Sequence, residues 1–386
     1  MKSALDMAHL YSMHILHVFK TYLPDTHGGI EQVIRQMCRA TTPLGVENQI
    51  LTLSTHPQPQ CVEVDGTPTY RVPQHLDIAS TGMSLTAFQA FNKLARQADL
   101  IHYHFPWPFM DLMQVLCRPG LPYVLSYHSD IVKQKYLLKL YQPLMHHFLK
   151  GAERIIVATE PYRKSSEILK AFTSRTEVIP YGLDESSYPK PMPQLLSHWR
   201  QRLGPRYLLF VGVLRYYKGL HLLLDALAGL DYPIAIVGDG PEGTTLQEQA
   251  LRLGLKNCHF LGRQDEANLS ALYAQCETFV FPSHLRSEAF GIALLEGAMY
   301  GKPLLCCDIG SGMNQINLNG ETGLCVPPTV EALRMSLQQL WNDSALRDRF
   351  GIAARKHFLS HFQSWQMGKK LEECYQKALD SHQSNL

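Results

Sequence analysis

A chain of 386 residues is too long for one ordinary hydrophobic core and suits two domains of roughly 150–200 residues. With 45% hydrophobic and 18% charged residues it has the composition of a globular protein, which excludes a fibrous or largely disordered chain. The net charge of +2 identifies no partner and gives no reason to expect nucleic acid.

Residues 1–12 lack a basic start followed by an apolar run, so they do not read as a signal peptide and are expected as an extension ahead of the fold. Met13-His-Ile-Leu-His-Val-Phe19 reads as a buried strand. The loop Thr21-Tyr-Leu-Pro-Asp-Thr-His-Gly-Gly-Ile-Glu31 follows, and then a helix with Ile30, Val33, Ile34 and Met37 on one face. That order puts a loop at the carboxyl end of a parallel strand, where ligands sit in α/β proteins. Gly28 and Gly29 read either as such a ligand loop or as a plain turn. Gln49-Ile-Leu-Thr-Leu-Ser54 is a second strand, and the Pro-rich residues 57–73 read as an irregular connection.

The strand Asp99-Leu-Ile-His-Tyr-His104 ends in two histidines on one side. No carboxylate or third histidine follows at metal-ligand spacing, so His102 and His104 are expected to line a cleft or simply to end a strand. Pro122-Tyr-Val-Leu-Ser-Tyr-His-Ser-Asp130 delivers His128 and Asp130 to the carboxyl end of the sheet. Residues 131–150 carry Lys133, Lys135, Lys139 and Lys150 and no acidic residue, among Tyr136, Leu137, Leu140, Tyr141, Leu144, Phe148 and Leu149. Two readings stand: a basic amphipathic face for peripheral contact with an anionic membrane surface, or a helix packed on its own domain. Pro143 argues against a single long helix. Strands at 154–159 and 177–184 close a first domain, residues 1–188, and three prolines in residues 189–193 mark a linker.

The second domain, residues 194–360, repeats the pattern with Tyr207-Leu-Leu-Phe-Val-Gly212 as a strand and a helix from about Gly219. Between them Arg215 and Lys218 stand three apart. A planar fork and a point charge beside a helix start suit a diphosphate, the plain alternative being a solvated pair. Gly238 lies in a strand-and-turn, Pro233-Ile-Ala-Ile-Val-Gly-Asp-Gly-Pro241, that lacks the third glycine of a dinucleotide fingerprint. Cys258-His-Phe-Leu-Gly262 is another strand. The nine cysteines are odd in number and include no Cys-x-x-Cys pair, and the neighbours Cys306 and Cys307 adjoin a predicted strand. They read as reduced core thiols of a cytosolic protein. No apolar run approaches the ~18 residues of a spanning helix.

Thr278-Phe-Val-Phe-Pro282 reads as a buried strand leading, through Ser283-His-Leu-Arg-Ser-Glu288, into a short helix at 290–300 that Gly301 and Pro303 stop. Glu288 and Glu296 have seven residues between them, ~12 Å along a helix axis. They cannot act as one acid/base pair but can hold the two ends of an extended ligand. Amides from Phe290 through Gly291 and Ile292 to Ala293 would seat a phosphate between them. The plain alternative is a loop carboxylate and a solvated helix residue.

The run Glu-Ala-Phe-Gly-Ile-Ala-Leu-Leu-Glu-Gly-Ala-Met-Tyr-Gly-Lys-Pro, from Glu288 on, closely resembles the E-x7-E signature of the retaining glycosyltransferases of family GT4, and the likeness extends over nearly the whole chain. The resemblance implies the GT-B fold: α/β, with two doubly wound Rossmann-like domains facing each other across a cleft, the first for the acceptor and the second for the nucleotide-sugar. It implies that Glu288 contacts the donor sugar, that Glu296 holds the ribose, and that Gly28 and Gly29 approach the donor phosphates and the acceptor. His128 would lie beside the reacting sugar. Lys218 matches the family's Gly-Arg-Leu-x-x-x-Lys-Gly, but Val213 occupies the usual Arg place and Arg215 comes two later. Gly212, Gly238, Phe290, Gly291 and Ile292 join the donor-binding set, and the final helix, about 361–386 with Trp365, Leu371, Cys374 and Tyr375, is expected to pack back on the first domain.

The implied reaction transfers a hexosyl group from a nucleotide-sugar, with retention and with no cofactor. No Asp-x-Asp pair is present to hold a metal, so Lys218, Arg215 and helix-start amides are expected to stabilise the leaving diphosphate. The run Val211-Gly-Val-Leu-Arg-Tyr-Tyr-Lys-Gly-Leu looks most like bacterial O-antigen and exopolysaccharide mannosyl- or rhamnosyltransferases. That implies a GDP-mannose or GDP-rhamnose donor and a lipid-linked saccharide acceptor at the inner face of the cytoplasmic membrane. A nucleotide-sugar epimerase of the same fold and a non-catalytic saccharide- or lipid-binding protein are the alternatives.

Overall fold

The computed structural model describes residues 12–78, 81–131 and 135–384, and of residues 135–139 the backbone alone. The extension expected at residues 1–12 lies, up to residue 11, outside the described residues. The chain divides into two compact units, one running to Gly182 and resuming at Ser364, the other Leu183–Gln363.

The first unit is built on an eight-stranded sheet. Its strands are β1 (Met13–Val18), β2 (Val46–Ser54), β3 (Cys61–Val64), β4 (Thr67–Pro73), then, after a two-stranded hairpin of β5 (Leu76–Ile78) and β6 (Thr81–Met83), β7 (Leu100–Phe105), β8 (Tyr123–Tyr127), β9 (Arg154–Val157) and β10 (Thr176–Val178). The order is β10-β9-β8-β7-β1-β2-β4-β3, parallel except at the β3 edge. β7 and β8 are buried along their whole length because helices cover both faces, which is why they read as apolar runs. Chain order reverses between β1 and β7, the switch point at which open α/β sheets bind ligands.

Residues 57–60 are irregular as expected, but 61–73 are not. Asp65 (φ 48°) and Gly66 (φ 80°) form a two-residue hairpin turn between β3 and β4, and Arg35 and Arg39 grip the Asp65 carboxylate at 2.6 and 3.1 Å. β4 alternates as a strand should, but its buried positions are Thr67, Thr69 and Arg71, so the pattern carries no apolar signal.

Residues 131–150 also depart from expectation, since Lys135–Gly151 is one helix with Pro143 inside it, on the exposed side. Met145, Phe148 and Leu149 pack inward, and the Tyr141 hydroxyl donates to buried Asp111. The C-terminal part is therefore a helix packed on its own unit. Lys133 and the side chains of Lys135, Tyr136, Leu137 and Lys139, on which the membrane-surface expectation partly rests, lie outside the described residues. Among the described residues no helix is long and apolar enough to cross a membrane.

The final helix, Ser364–Gln383, belongs to this unit. Leu371, Cys374 and Tyr375 are buried, and Gly368 lies so close to the helix Gly29–Thr41 that a Cβ would stand 2.3 Å from the Ala40 carbonyl oxygen.

The second unit holds six parallel strands, β11 (Leu208–Val211), β12 (Ile234–Val237), β13 (Cys258–Gly262), β14 (Thr278–Phe281), β15 (Leu304–Cys307) and β16 (Gly323–Val326). The order β13-β12-β11-β14-β15-β16 is doubly wound, with its switch point between β11 and β14.

Candidate active site

The loops that leave β11 and β14 meet at the second unit's switch point. After β11 the chain makes a short 3-10 turn, Tyr216–Lys218, which turns the Lys218 side chain inward. After β14 it passes Ser283 and returns to Glu288. Lys218 Nζ donates to Glu288 Oε2 at 2.5 Å, and Ser283 Oγ donates to the same oxygen at 3.1 Å. The pair is 8% and 9% exposed, and the ammonium also lies 4.4 Å from the Phe281 ring centre, where the ring's negative face favours a cation. Arg215 stays exposed at the start of the turn and shares no bond with Glu288. The two cations of the sequence motif are thus separated into one buried and one surface group.

Gly291 caps the helix Ile292–Met299 at φ 90°, a left-handed conformation that suits glycine. The first bond within the helix runs from Leu295 N to Gly291 O, so the amides of Ile292, Ala293 and Leu294 have no partner inside it. Phe290 packs edge-on against Phe362 and is buried, so its side chain belongs to the core and only its backbone faces the turn. Gly238 at φ 129° meets Gly212 backbone to backbone: a Cβ on Gly238 would stand 2.0 Å from Gly212 O. The Gly-Asp-Gly turn therefore serves close loop packing.

Glu296 is not a solvated helix residue. Its Oε1 accepts from the Tyr188 hydroxyl at 3.0 Å and its Oε2 from the Tyr273 hydroxyl at 2.8 Å. Burial raises its pKa from 4.5 to about 7, against the opposing pull of the two tyrosine hydroxyls. Tyr188, Tyr273 and Ser283 escaped the sequence reading; Tyr188 lies 108 positions from Glu296, a separation no local motif spans.

In the first unit, Gly28 caps the helix Gly29–Thr41. A Cβ there would come within 2.4 Å of Glu31 Oε2, whereas at Gly29 it would meet nothing within 4 Å. Glu31 is buried, and its Oε1 accepts from Thr21 and Thr26 at 2.9 and 3.0 Å. The loop is thus tied down by a carboxylate that its sequence contains but does not distinguish.

His128 follows β8 and is 6% exposed. Its Nε2 lies 3.0 Å from His104 Nδ1 and its Nδ1 lies 2.7 Å from the Tyr181 hydroxyl. Asp130 Oδ1 accepts from Tyr127 at 2.9 Å and Ser166 at 2.7 Å, so it anchors the loop. A third histidine does join His102 and His104: His17, from the neighbouring strand β1, so that ligand nitrogens of the three lie within 4.8 Å of one another. Spacing along one strand could not reveal a partner supplied across the sheet. All six ring nitrogens are engaged in hydrogen bonds: His17 with His104 and Asn48 at 3.0 Å each, His104 also with His128, and His102 with Tyr375 and Ser126 at 2.8 Å each. The cluster is a bonded set of imidazoles.

Comparison with known proteins places these sites in a family. Residues 27–187 match the family described as Glycosyltransferase Family 4 and residues 196–357 match Glycosyl transferases group 1. D-rhamnosyltransferase WbpZ of Pseudomonas aeruginosa is 51% identical over 351 residues, covering 91% of this chain and 92% of that protein. O-antigen chain mannosyltransferase C of Escherichia coli is 41% identical over 370 residues, covering 96% and 100%. Among solved structures, Anabaena HepE in complex with UDP and glucose superposes with a TM-score of 0.77 at 19% identity, covering 94% of this chain and 99% of that one, a likeness of fold alone. The chain belongs to the family 4 glycosyltransferases and is a glycosyltransferase of the GT-B class, built from two Rossmann-like domains.

Proposed function

We propose that the chain is a retaining hexosyltransferase that moves mannose or rhamnose from a GDP-sugar onto a lipid-linked saccharide in O-antigen synthesis. The names of its 51% and 41% identical relatives support the sugar and the pathway. The buried Lys218–Glu288 pair at the β11/β14 switch point, beside the amides of Ile292 to Leu294, is the observation that carries the reading. Lys218, those amides and Arg215 take the charge that develops on the leaving diphosphate, so the nucleotide-sugar needs no metal or other cofactor. Glu288 Oε1, outside the bonds to Lys218 and Ser283, accepts from a sugar hydroxyl, and Glu296 holds the ribose. The bond from the anomeric carbon to the diphosphate oxygen breaks, the acceptor oxygen bonds to that carbon on the same face, and the acceptor's proton passes to the leaving phosphate. The N-terminal unit binds the acceptor through Gly28 and Gly29, and His128 lies beside the reacting sugar. A lipid-linked acceptor is met at the membrane surface, on the cytoplasmic side.

Thermal shift with GDP, UDP, ADP and dTDP tests the donor, because a ligand of the folded state raises its apparent stability. A shift with GDP alone is expected, followed by product from GDP-mannose or GDP-rhamnose only when acceptor is added. A shift with UDP alone overturns the donor. Isomerised nucleotide-sugar from donor alone points to an epimerase, and no binding of any nucleotide returns a non-catalytic binder.

A further inference from the structure

The histidines of the first unit form a row with a direction. Asn48 sets it. The Asn48 amide nitrogen faces the carbonyl oxygens of Cys38 and Val46 at 3.4 Å each and Thr41 Oγ1 at 3.1 Å, whose own proton goes to the Met37 carbonyl oxygen at 2.8 Å, so all three require a donor. Its oxygen is therefore the atom 3.0 Å from His17 Nε2, and an amide oxygen only accepts. So His17 carries its proton on Nε2 and accepts at Nδ1, from His104 Nε2–H at 3.0 Å. His104 then accepts at Nδ1 from His128 Nε2–H at 3.0 Å, and His128 accepts at Nδ1 from the Tyr181 hydroxyl at 2.7 Å. The row crosses the four adjacent parallel strands or strand ends β2, β1, β7 and β8.

Burial supports the single protons this requires. It lowers the pKa of His17 to about 4 and of His128 to about 3, holds His104 well below 6.5, and keeps the Tyr181 phenol protonated. Reversing the row would turn the Asn48 oxygen against two carbonyl oxygens, which leaves buried acceptors facing acceptors.

We propose that Asn48, His17 and His104 are positioning residues that fix His128 as its Nε2–H tautomer, so that the histidine beside the reacting sugar presents Nδ1 only as a hydrogen-bond acceptor. This rests on the reading of His128 given above. That lone pair is taken by the Tyr181 hydroxyl at 2.7 Å, so a donating sugar hydroxyl reaches it only by displacing Tyr181, and an anionic oxygen is repelled there.

The test is ring nitrogen-15 NMR on the full-length protein labelled at histidine, which reads each tautomer without substrate, together with steady-state kinetics. In the unmodified protein, Nε2–H is expected at His17, His104 and His128 alike. His17→Leu removes the acceptor for His104, and mixed tautomers at His128 are expected with a tenfold or greater loss of kcat and a donor KM within twofold. His17→Gln can still accept, and is expected to restore Nε2–H at His128 and most of kcat. Tyr181→Phe, at the far end, should leave the His128 tautomer unchanged, and it serves should His17→Leu not fold. Nδ1–H at His128 in the unmodified protein, or a tautomer that follows Tyr181 and ignores His17, overturns the row's direction. Altered tautomers with unchanged kcat overturn its positioning role. Failure of nucleotide binding overturns the glycosyltransfer reading alone, since the tautomers stand apart from it.

Discussion

A buried ammonium and carboxylate 2.5 Å apart hold each other's charge, and removing either strands the other. Lys218→Ala is expected to destabilise by about 3–5 kcal/mol, the usual cost of an unpaired buried charge, seen as a lower denaturation midpoint. Glu288→Gln keeps the shape and one acceptor for the Lys218 ammonium, so it should fold with a smaller loss of stability than Lys218→Ala and still lose about 10²–10³ in turnover, the scale for one transition-state contact. A folded Glu288→Gln enzyme at full rate would remove Glu288 from the site. Glu296 gives a pH test. Its pKa is about 7 when folded and 4.5 as a free carboxyl, so between those values the folded state keeps a proton that the unfolded state has released. Its contribution to stability is complete below 4.5 and is lost as pH rises to 7. Ribose hydroxyls, however, are better held by the carboxylate, so nucleotide affinity should rise across the same window. Glu296→Gln should flatten both trends. A melting-temperature difference between the two proteins that is constant from pH 4.5 to 8 would contradict the burial-raised pKa.

At the scale of elements, Gly238 and Gly29 separate fold from ligand contact. Gly238→Ala combines φ 129° with a Cβ 2.0 Å from Gly212 O, and is expected to destabilise by more than about 1 kcal/mol in a denaturant melt. Gly29 has open space on its Cβ side, so Gly29→Ala should keep stability within about 0.5 kcal/mol. Activity lost in that variant would come from the loop's approach to a ligand. The same contrast marks what the sequence discloses. β7, β8, β11 and β14 are legible because strands buried on both faces must be apolar along their length, Lys218 is legible from the local motif that ends at Gly219, and Glu288 and Gly291 are legible from a second motif 70 residues on. β4 is hidden because threonines and an arginine fill its buried positions, and the helix through Pro143 because its proline lies on the solvent side, where local rules count it as a breaker. His17, Tyr188 and Tyr273 reach their partners only through sheet order and tertiary packing. No spacing along the chain encodes them.

At the scale of the whole molecule, the last described helix follows the second unit in sequence but is folded into the first. Tyr375 donates to or accepts from His102 at 2.8 Å, Gly368 touches the Ala40 carbonyl, and Arg154 reaches Ser381 at 3.3 Å. The helix should therefore share its stability with β1, β7 and the helix Gly29–Thr41, since local unfolding proceeds in packed units and takes no account of chain order. Gly368→Val forces the two helices apart by placing a branched side chain where a single Cβ already stands 2.3 Å from a backbone oxygen. Hydrogen exchange should then speed up together in residues 13–41, 100–105 and 364–383. β11 to β16 should exchange as before, and whichever nucleotide raises the melting temperature should still protect the loops after β11 and β14. Faster exchange confined to 364–383 would mean that the helix only rests on the first unit, and faster exchange in β11 to β16 would mean that it also supports the second.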